Sequence, residues 1–368
     1  MSGKYEDSLG LIVMNNCKEL GESINKKIMS KRNADESFMI PVRLDRFNNG
    51  EGKAVIEGSV RDKDLYILSD VGNHSETYKM YGYENHKSPD DHFMDIKRVL
   101  SAVRGQADRI TVFMPMLYES RQHKRTGDES LDCALALQEL HNLGVSTAVT
   151  IDAHDPNIQN AVPATMSFEN FFASNSILNN FIRNEDFNID DVVFISPDKG
   201  ALDRTRYYAN MFNSDVGMFH KRRDLSKIVD GKAPIVAHEY LGRNLDGKTT
   251  IIVDDMIDSG GSILDVVNDV KDRGAKDAYL IATFSMFSKG LGIFDEAYEK
   301  GLFDKLYSTN LTYVDPNALT RPWYKQIDCS TYASDIIDTL NKSGRVSDLK
   351  NGKQKILSML DKKKKGEL

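Results

Sequence analysis

Cysteine is scarce in this 368-residue chain, and the three present, Cys17, Cys133 and Cys329, are scattered with no CxxC spacing. An odd, unpatterned set gives no disulfide framework and suits a reducing compartment. No apolar run approaches the roughly 18 residues that a membrane helix requires, so a membrane partner is not expected. The N-terminus lacks a basic stretch followed by an apolar core, which argues against a secretory signal and makes the cytoplasm the expected location. Positive charge is also short: 48 Lys and Arg against 55 Asp and Glu leave a formal charge of −7. With a pI near 5.7, a nucleic-acid partner is not expected, because such a surface usually makes its domain basic. Core material is not lacking. Hydrophobic residues at 40% and charged ones at 28% sit near the globular average and exclude a wholly disordered chain.

Strands and helices alternate along the chain. PVRLDRF, KAVIEGSV, DLYILSDV and RITVFMPML read as strands, the last after a helical stretch near 93–105. SLDCALALQELHNLG has helical spacing through Leu131, Ala134 and Leu135 with Gly144 as its stop, and VSTAVTID follows as a buried strand. The second half repeats the theme. SILNNFIRN and RTRYYANMF read as helices around the strand VVFISPD; VGMFHKRR, APIVAHEYL and TTIIVDDM are strands; SILDVVNDVKDRG is a helix before the strand AKDAYLIATFSMF. This pattern predicts an α/β protein of two similar doubly wound, mostly parallel-sheet domains. The expected divisions are 1–165, with an insertion at 72–92, then 166–345, then a basic tail at 346–368. The insertion has neither helical nor strand period, and its His74, His86 and His92 read as exposed loop residues rather than metal ligands. STYASDIIDTLNKSG reads as a C-terminal helix capped by Ser330, and KKKK at 362–365 as a solvated, frayed end.

The strongest functional signal is TIIVDDMIDSGGSIL at 250–264. A β-branched strand is expected to end at Val253, so that Asp254 and Asp255 emerge at its carboxyl end, where open α/β sheets place their ligands. Two adjacent carboxylates suit the vicinal hydroxyls of a ribose. From Asp258 through Ser259, Gly260, Gly261 and Ser262 the backbone can curl tightly, turning several amide N–H groups and the start of a helix at about Ser262 onto one anion. The segment reads as a cradle for a phosphorylated ribose. GRNLDGKT at 242–249 also satisfies a P-loop pattern, but it is followed at once by a strand instead of opening a helix, so it reads as a turn.

The cradle resembles the phosphoribosyl diphosphate loop shared by type I phosphoribosyltransferases and ribose-phosphate pyrophosphokinases, the latter being the enzymes that make phosphoribosyl pyrophosphate (PRPP). Other segments resemble the pyrophosphokinases in particular. RFNNGEGKAVIEGSV at 46–60 puts Phe47, Asn49 and Glu51 on a turn similar to the one that holds the adenine of ATP in that family. In MPMLYESRQHKR at 114–125, Arg121 and Gln122 match an Arg-Gln pair that contacts ATP. TIDAHDPNIQNAVP at 150–163 resembles a segment whose histidine, here His154, is a magnesium ligand. ISPDKGALDRTR at 195–206 resembles the pyrophosphate and metal loop, carrying over Asp198 and Arg204, and HKRRD at 220–224 supplies Lys221 and Arg223 for the β-phosphate region.

These matches run in the family's order over roughly residues 40–290, whereas phosphoribosyltransferases normally carry one such domain and lack the first three segments. The resemblance therefore implies Mg²⁺-dependent pyrophosphoryl transfer from ATP to ribose 5-phosphate by a homo-oligomer, with Lys221, Arg223 and Arg121 as catalytic groups. Two departures stand out: Ala201 replaces a second glycine after Gly200, and His123 follows Arg-Gln where the family usually has Asp before a mobile loop. They leave open a larger acceptor such as ADP-ribose, or a non-catalytic regulatory homologue.

Overall fold

The computed structural model describes residues 5–223 and 235–368, with the backbone alone at 221–223 and 235–238. The chain forms two compact units. One runs through Ala173 and adds Asn310–Tyr313 and Asp328–Lys350; the other comprises Ser174–Thr309, Val314–Ile327 and Asn351–Leu368. Among the described residues no helix is long and apolar enough to cross a membrane, and all three cysteines are buried.

The first unit is built on a five-stranded parallel sheet in the order Leu9–Val13, Asp64–Leu68, Arg109–Phe113, Thr147–Ile151, Ser167–Phe171. Helices such as Lys18–Arg32 and Pro89–Val103 alternate with these strands. Covering both faces of the sheet explains why DLYIL and RITVF are buried almost throughout instead of at alternate residues. Two antiparallel hairpins are added, Val42–Arg46 with Gly52–Ile56 and Thr77–Met80 with Tyr83–His86. The second corrects the reading of 72–92 as irregular: its strands are only four residues each, too short for a visible period. Of the three histidines, His74 and His86 are exposed as expected, and His92 departs from the expectation. His92 is buried, with Nε2 2.6 Å from the Asn73 carbonyl oxygen, and burial lowers its pKa. His86 Nδ1 lies 2.7 Å from the carbonyl oxygen of His74.

The helix Ser330–Asn341 belongs to this first unit, so the expected continuous stretch 166–345 is interrupted. Its anchor is polar. Arg32 donates to Asp338 Oδ1 and Asn341 Oδ1, each at 2.7 Å. Asn341 Nδ2 donates to Asp64 Oδ2 at 2.8 Å, and that fully buried carboxylate also takes a two-pronged bond from Arg109 at 2.7 and 2.6 Å. Ser330 is the helix's first residue rather than its cap. Its N–H donates to Asp328 Oδ1 at 2.9 Å in a turn just ahead of Cys329, which holds the cap position without a side-chain bond.

The second unit carries a seven-stranded sheet in the order Ile235–Leu241, Asp215–Arg223, Val192–Ser196, Thr249–Ile257, Asp277–Ser285, Lys305–Thr309, Tyr324–Ile327. All neighbours are parallel except the first pair. Val193, Ile252, Val266, Phe294 and Trp323 belong to its core. GRNLDGKT is the turn expected of it, with Lys248 N–H returning to Leu245 O at 2.9 Å. The basic tail is not frayed. Lys353–Lys364 is a helix that buries Ile356, Met359 and Leu360, a stripe at helical spacing, while Lys363 Nζ reaches the carbonyl oxygens of Ile182 and Glu185 at 3.0 and 2.7 Å.

One buried carboxylate organises the hairpins of the first unit. Asp95 accepts from Arg46 at 2.7 and 3.0 Å, from Lys87 at 3.1 Å and from Arg98 at 2.7 Å. Burial pushes its pKa up, but the Arg46 bonds, the Lys87 charge and the Arg98 bond outweigh this and hold it below the ordinary carboxylate range. Asp95→Asn keeps the shape and removes the charge that three cations share. The expected loss is about 3 kcal/mol in chemical denaturation at neutral pH. Because the folded pKa is depressed, the wild-type contribution is complete above about pH 4 and fades as the pH falls below it. The stability gap to the variant should therefore narrow on the acid side.

Candidate active site

Parallel strands in register end at one edge, and in the second unit that edge collects the residues singled out in the sequence. Ile195 pairs with Ile252 on one side and Gly217 on the other. Three residues past these partners stand Asp198, Asp255 and His220, with Lys221 next. Lys221 and Arg223 lie on the backbone of Asp215–Arg223, and their side chains are outside the described residues.

The strand bearing the two acids runs to Ile257, four residues beyond the expected end at Val253, because Asp277–Ser285 continues to pair with it through Ile257↔Ser285. Asp254 and Asp255 are therefore not equivalent. Asp255 is 1% exposed and lies 3.6 Å from the buried guanidinium of Arg204, on the helix Leu202–Phe212. Asp254 is partly exposed and accepts from the Asp255 N–H at 2.9 Å. Its pKa is raised well above the ordinary value, first by burial of the carboxylate and then by the charge of Asp255; Arg204 opposes the shift and Asp198 adds to it. Asp198, Arg204, Asp254 and Asp255 thus form one electrostatic group.

Asp198 Oδ1 accepts from the N–H groups of Gly200 and Ala201 at 2.8 and 3.1 Å, which closes the SPDKGA turn. Ala201 is buried with φ −82° and ψ −2°. That conformation is open to any residue, so the turn does not need the missing glycine.

The phosphate cradle starts its helix at Gly261, one residue before the expected Ser262. Asp258 and Ser259 are half-buried and lead into Gly260, which sits at φ +86°; a Cβ there would come within 2.3 Å of the Phe294 ring. Gly260 is needed on both counts. Gly261 faces open space. The first helical bond runs from Leu264 N–H to Gly260 O at 3.0 Å and no side chain caps the turn. The N–H groups of Gly261, Ser262 and Ile263 are therefore left without helical acceptors, as anion binding requires. A cavity of about 390 Å³ in this unit, lined by Val192, Phe212, Asp215, Leu360 and Lys364 among others, lies at the opposite, amino-terminal edge and takes no part in this group.

In the first unit, Phe47, Asn49 and Glu51 share the turn between Val42–Arg46 and Gly52–Ile56. Phe47 is 51% exposed, while Asn49 Nδ2 donates to Glu51 Oε2 at 3.0 Å and Glu51 N–H donates to Asn49 Oδ1 at 3.2 Å. An apolar face and an amide–carboxylate edge are thus presented together, as a purine requires. Arg121 and Gln122 follow the strand Arg109–Phe113; Arg121 is exposed, and Gln122 Nε2 donates to the Ser130 carbonyl oxygen at 2.6 Å, closing the loop between them.

His154 follows the strand Thr147–Ile151, with the ring of His123 5.5 Å away; His123 Nε2 lies 3.2 Å from Asp155 Oδ2. No local pattern signals this pairing, since His123 stands out in the sequence only as a departure. Asp152, just before it, is a non-glycine residue at φ +52° whose N–H donates to Phe171 O at 2.7 Å. Such strain at a strand end often marks a functional turn.

Among the described residues no group of three or more His, Cys, Asp or Glu is placed to hold a metal. A magnesium ion that keeps most of its waters needs only one or two protein oxygens, and the Asp198 carboxylate is a donor of that kind.

Gly260→Ala is expected to lower stability by about 2 kcal/mol, from strain and overpacking, and to weaken binding of ribose 5-phosphate. Gly261→Ala, with open space around it, leaves stability within about 0.5 kcal/mol of the parent. Thermal unfolding and titration calorimetry of both variants check this contrast.

Two family models cover most of the chain: the N-terminal domain of ribose phosphate pyrophosphokinase over residues 9–144, and the phosphoribosyl transferase domain over 169–314. The ribose-phosphate pyrophosphokinase of Bordetella pertussis is 26% identical over 307 residues, covering 83% of this chain and 90% of its own. Ribose-phosphate pyrophosphokinase 2 of Schizosaccharomyces pombe is 26% identical over 344 residues, covering 93% and 97%. The phosphoribosylpyrophosphate synthetase structure from Mycobacterium smegmatis shares the fold, with a TM-score of 0.74 and 22% identity over 92% of this chain and 100% of that one. With both domain models matched in order on the two described sheets, the chain belongs to the ribose-phosphate pyrophosphokinase family.

Proposed function

We propose that this chain transfers the β,γ-pyrophosphoryl group of ATP to the anomeric hydroxyl of ribose 5-phosphate, giving PRPP and AMP. The ribose O1–Pβ bond forms as the bond from Pβ to the α,β-bridging oxygen breaks. The electron pair leaves on AMP, and the proton of the anomeric hydroxyl is released. Little covalent chemistry is asked of the protein, so its task is in-line positioning and charge neutralisation.

In this reading Asp254 takes the ribose diol from its partly exposed position, and Asp255, fixed by Arg204, sets the backbone behind it. The cradle at 258–262 holds the 5-phosphate on its N–H groups. Phe47 stacks on the adenine while Asn49 and Glu51 read its edge. Arg121 with Gln122, and Lys221 with Arg223, offset the charge that develops on the transferred group. His154 in the first unit and Asp198 in the second are each candidate ligands for Mg²⁺, which would supply further charge neutralisation on the nucleotide phosphates. Three scattered, buried cysteines suit a reducing cytoplasm.

The observation that carries the proposal is the single electrostatic group of Asp198, Arg204, Asp254 and Asp255 at the carboxyl edge, beside a glycine-built anion cradle. Mass-spectrometric product analysis with ATP, Mg²⁺ and either ribose 5-phosphate or ADP-ribose tests it. PRPP and AMP should appear together only with ribose 5-phosphate. Pyrophosphorylated ADP-ribose would move the acceptor, and no AMP from either would overturn catalysis. Lys221→Ala should lower turnover roughly 100-fold while the Kd for ribose 5-phosphate stays within about threefold. Equal losses in both would remove Lys221 from the transfer step.

A further inference from the structure

The hairpin Thr77–His86 lies within the 72–92 insertion and bears directly on the turn that carries Phe47, Asn49 and Glu51. Tyr81 N–H donates to the carbonyl oxygen of Asn48 at 2.8 Å. On the other side of Asn49, Gly50 sits at φ +92°, and a Cβ there would meet Met80 Sδ at 2.7 Å. Asn49 is thus bracketed by two contacts from the same hairpin tip. At the base of the turn, the Arg46 guanidinium lies 5.2 Å from the ring centre of Tyr78. Arg46 also shares Asp95 with Lys87, and Lys87 pairs with Glu76 at 2.9 Å. Both ends of the insertion hairpin are therefore tied to the same buried ion cluster as the turn. Gly52 leaves room for it, since a Cβ there would strike Arg46 Nη1 at 2.1 Å.

We infer that this hairpin is a positioning element for the nucleotide base: it holds the turn 47–51 in one geometry, so that ATP affinity and base selectivity depend on residues 77–86 that do not touch the nucleotide. The inference rests on the reading of Phe47, Asn49 and Glu51 as the adenine site. A five-residue hairpin loop such as 47–51 has no rigid connection of its own to the rest of a domain, and a site built on it gains precision only from surrounding support. Here the support is a backbone hydrogen bond, a thioether packed against a glycine and an arginine held by an aromatic ring and a carboxylate. It acts on the backbone at Asn48 and Gly50, so it governs where the Asn49 amide and the Phe47 ring stand.

The insertion can be excised cleanly, because Lys87 N–H already bonds Glu76 O at 2.8 Å. Replacing 77–86 by Asn-Gly closes the ends in a two-residue turn and leaves Glu76 and Lys87 in place. The full-length enzyme is compared with the excision variant, with the Tyr78→Ala/Met80→Ala double variant should the excision fail to fold, and with Phe47→Ala in both backgrounds. Initial rates are measured against ATP, GTP and ribose 5-phosphate.

The expected result is a KM for ATP raised about tenfold and a reduced preference for ATP over GTP, with kcat at saturating ATP and the KM for ribose 5-phosphate within about twofold. Phe47→Ala should raise the KM for ATP strongly in the parent and much less after excision, because both changes remove the same placement. If Phe47→Ala raises the KM equally in both backgrounds, or the excision leaves the KM for ATP unchanged, the hairpin has no positioning role while the adenine site stands. If Phe47→Ala alone has no effect, the adenine-site reading fails and the inference falls with it.

Discussion

Two parallel strand pairs held in step govern the second unit. Ile195 faces Ile252 and Gly217, and that register alone brings the loops after three separate strands to a common edge. Parallel pairing permits no local adjustment: a slip of one residue turns every side chain to the opposite face. Asp255 would then leave Arg204, and the Asp198 turn would no longer face the acids. The apolar residues that fix the register, among them Val193, Ile195 and Ile252, are fully buried, so the placement of the charged groups is set by packing beneath them.

The two units handle clustered carboxylates in opposite ways. Asp95 is surrounded by an excess of positive charge and stays ionised, which makes it a structural tie. Asp254 has acids on two sides and one guanidinium nearby, and its affinity for a proton is raised. A carboxylate in that state is poorly satisfied by the protein alone. It gains from a hydroxyl donor or a cation, which is the property expected of a group that binds a sugar diol and works beside a metal.

Much of this was legible in the sequence where chemistry and local pattern coincide. The cradle at 258–262 was readable because Gly260 answers a conformational demand and a close approach by Phe294, both of which select glycine. The alternation of strands and helices was readable because covered sheets enforce apolar runs. Other features had no local signature. Asp95 sits inside a helix, and its partners Arg46 and Arg98 come from other positions that look like ordinary surface charge. The short strands Thr77–Met80 and Tyr83–His86 were missed because four residues cannot establish a period. The strand Thr249–Ile257 was cut short because acids usually signal an exit from the sheet, whereas here pairing with Asp277–Ser285 carries it past them.

The helix Ser330–Asn341 completes the first unit from almost the far end of the chain, through Arg32, Asp64 and Arg109. During synthesis the buried carboxylate of Asp64 therefore lacks its Asn341 partner until 277 further residues have been added. The second unit, whose strands from Val192 to Ile327 are consecutive, has most of its own sheet available before that. A chain truncated after Ile327 would keep every strand of the second sheet and lack the helix that closes the first unit.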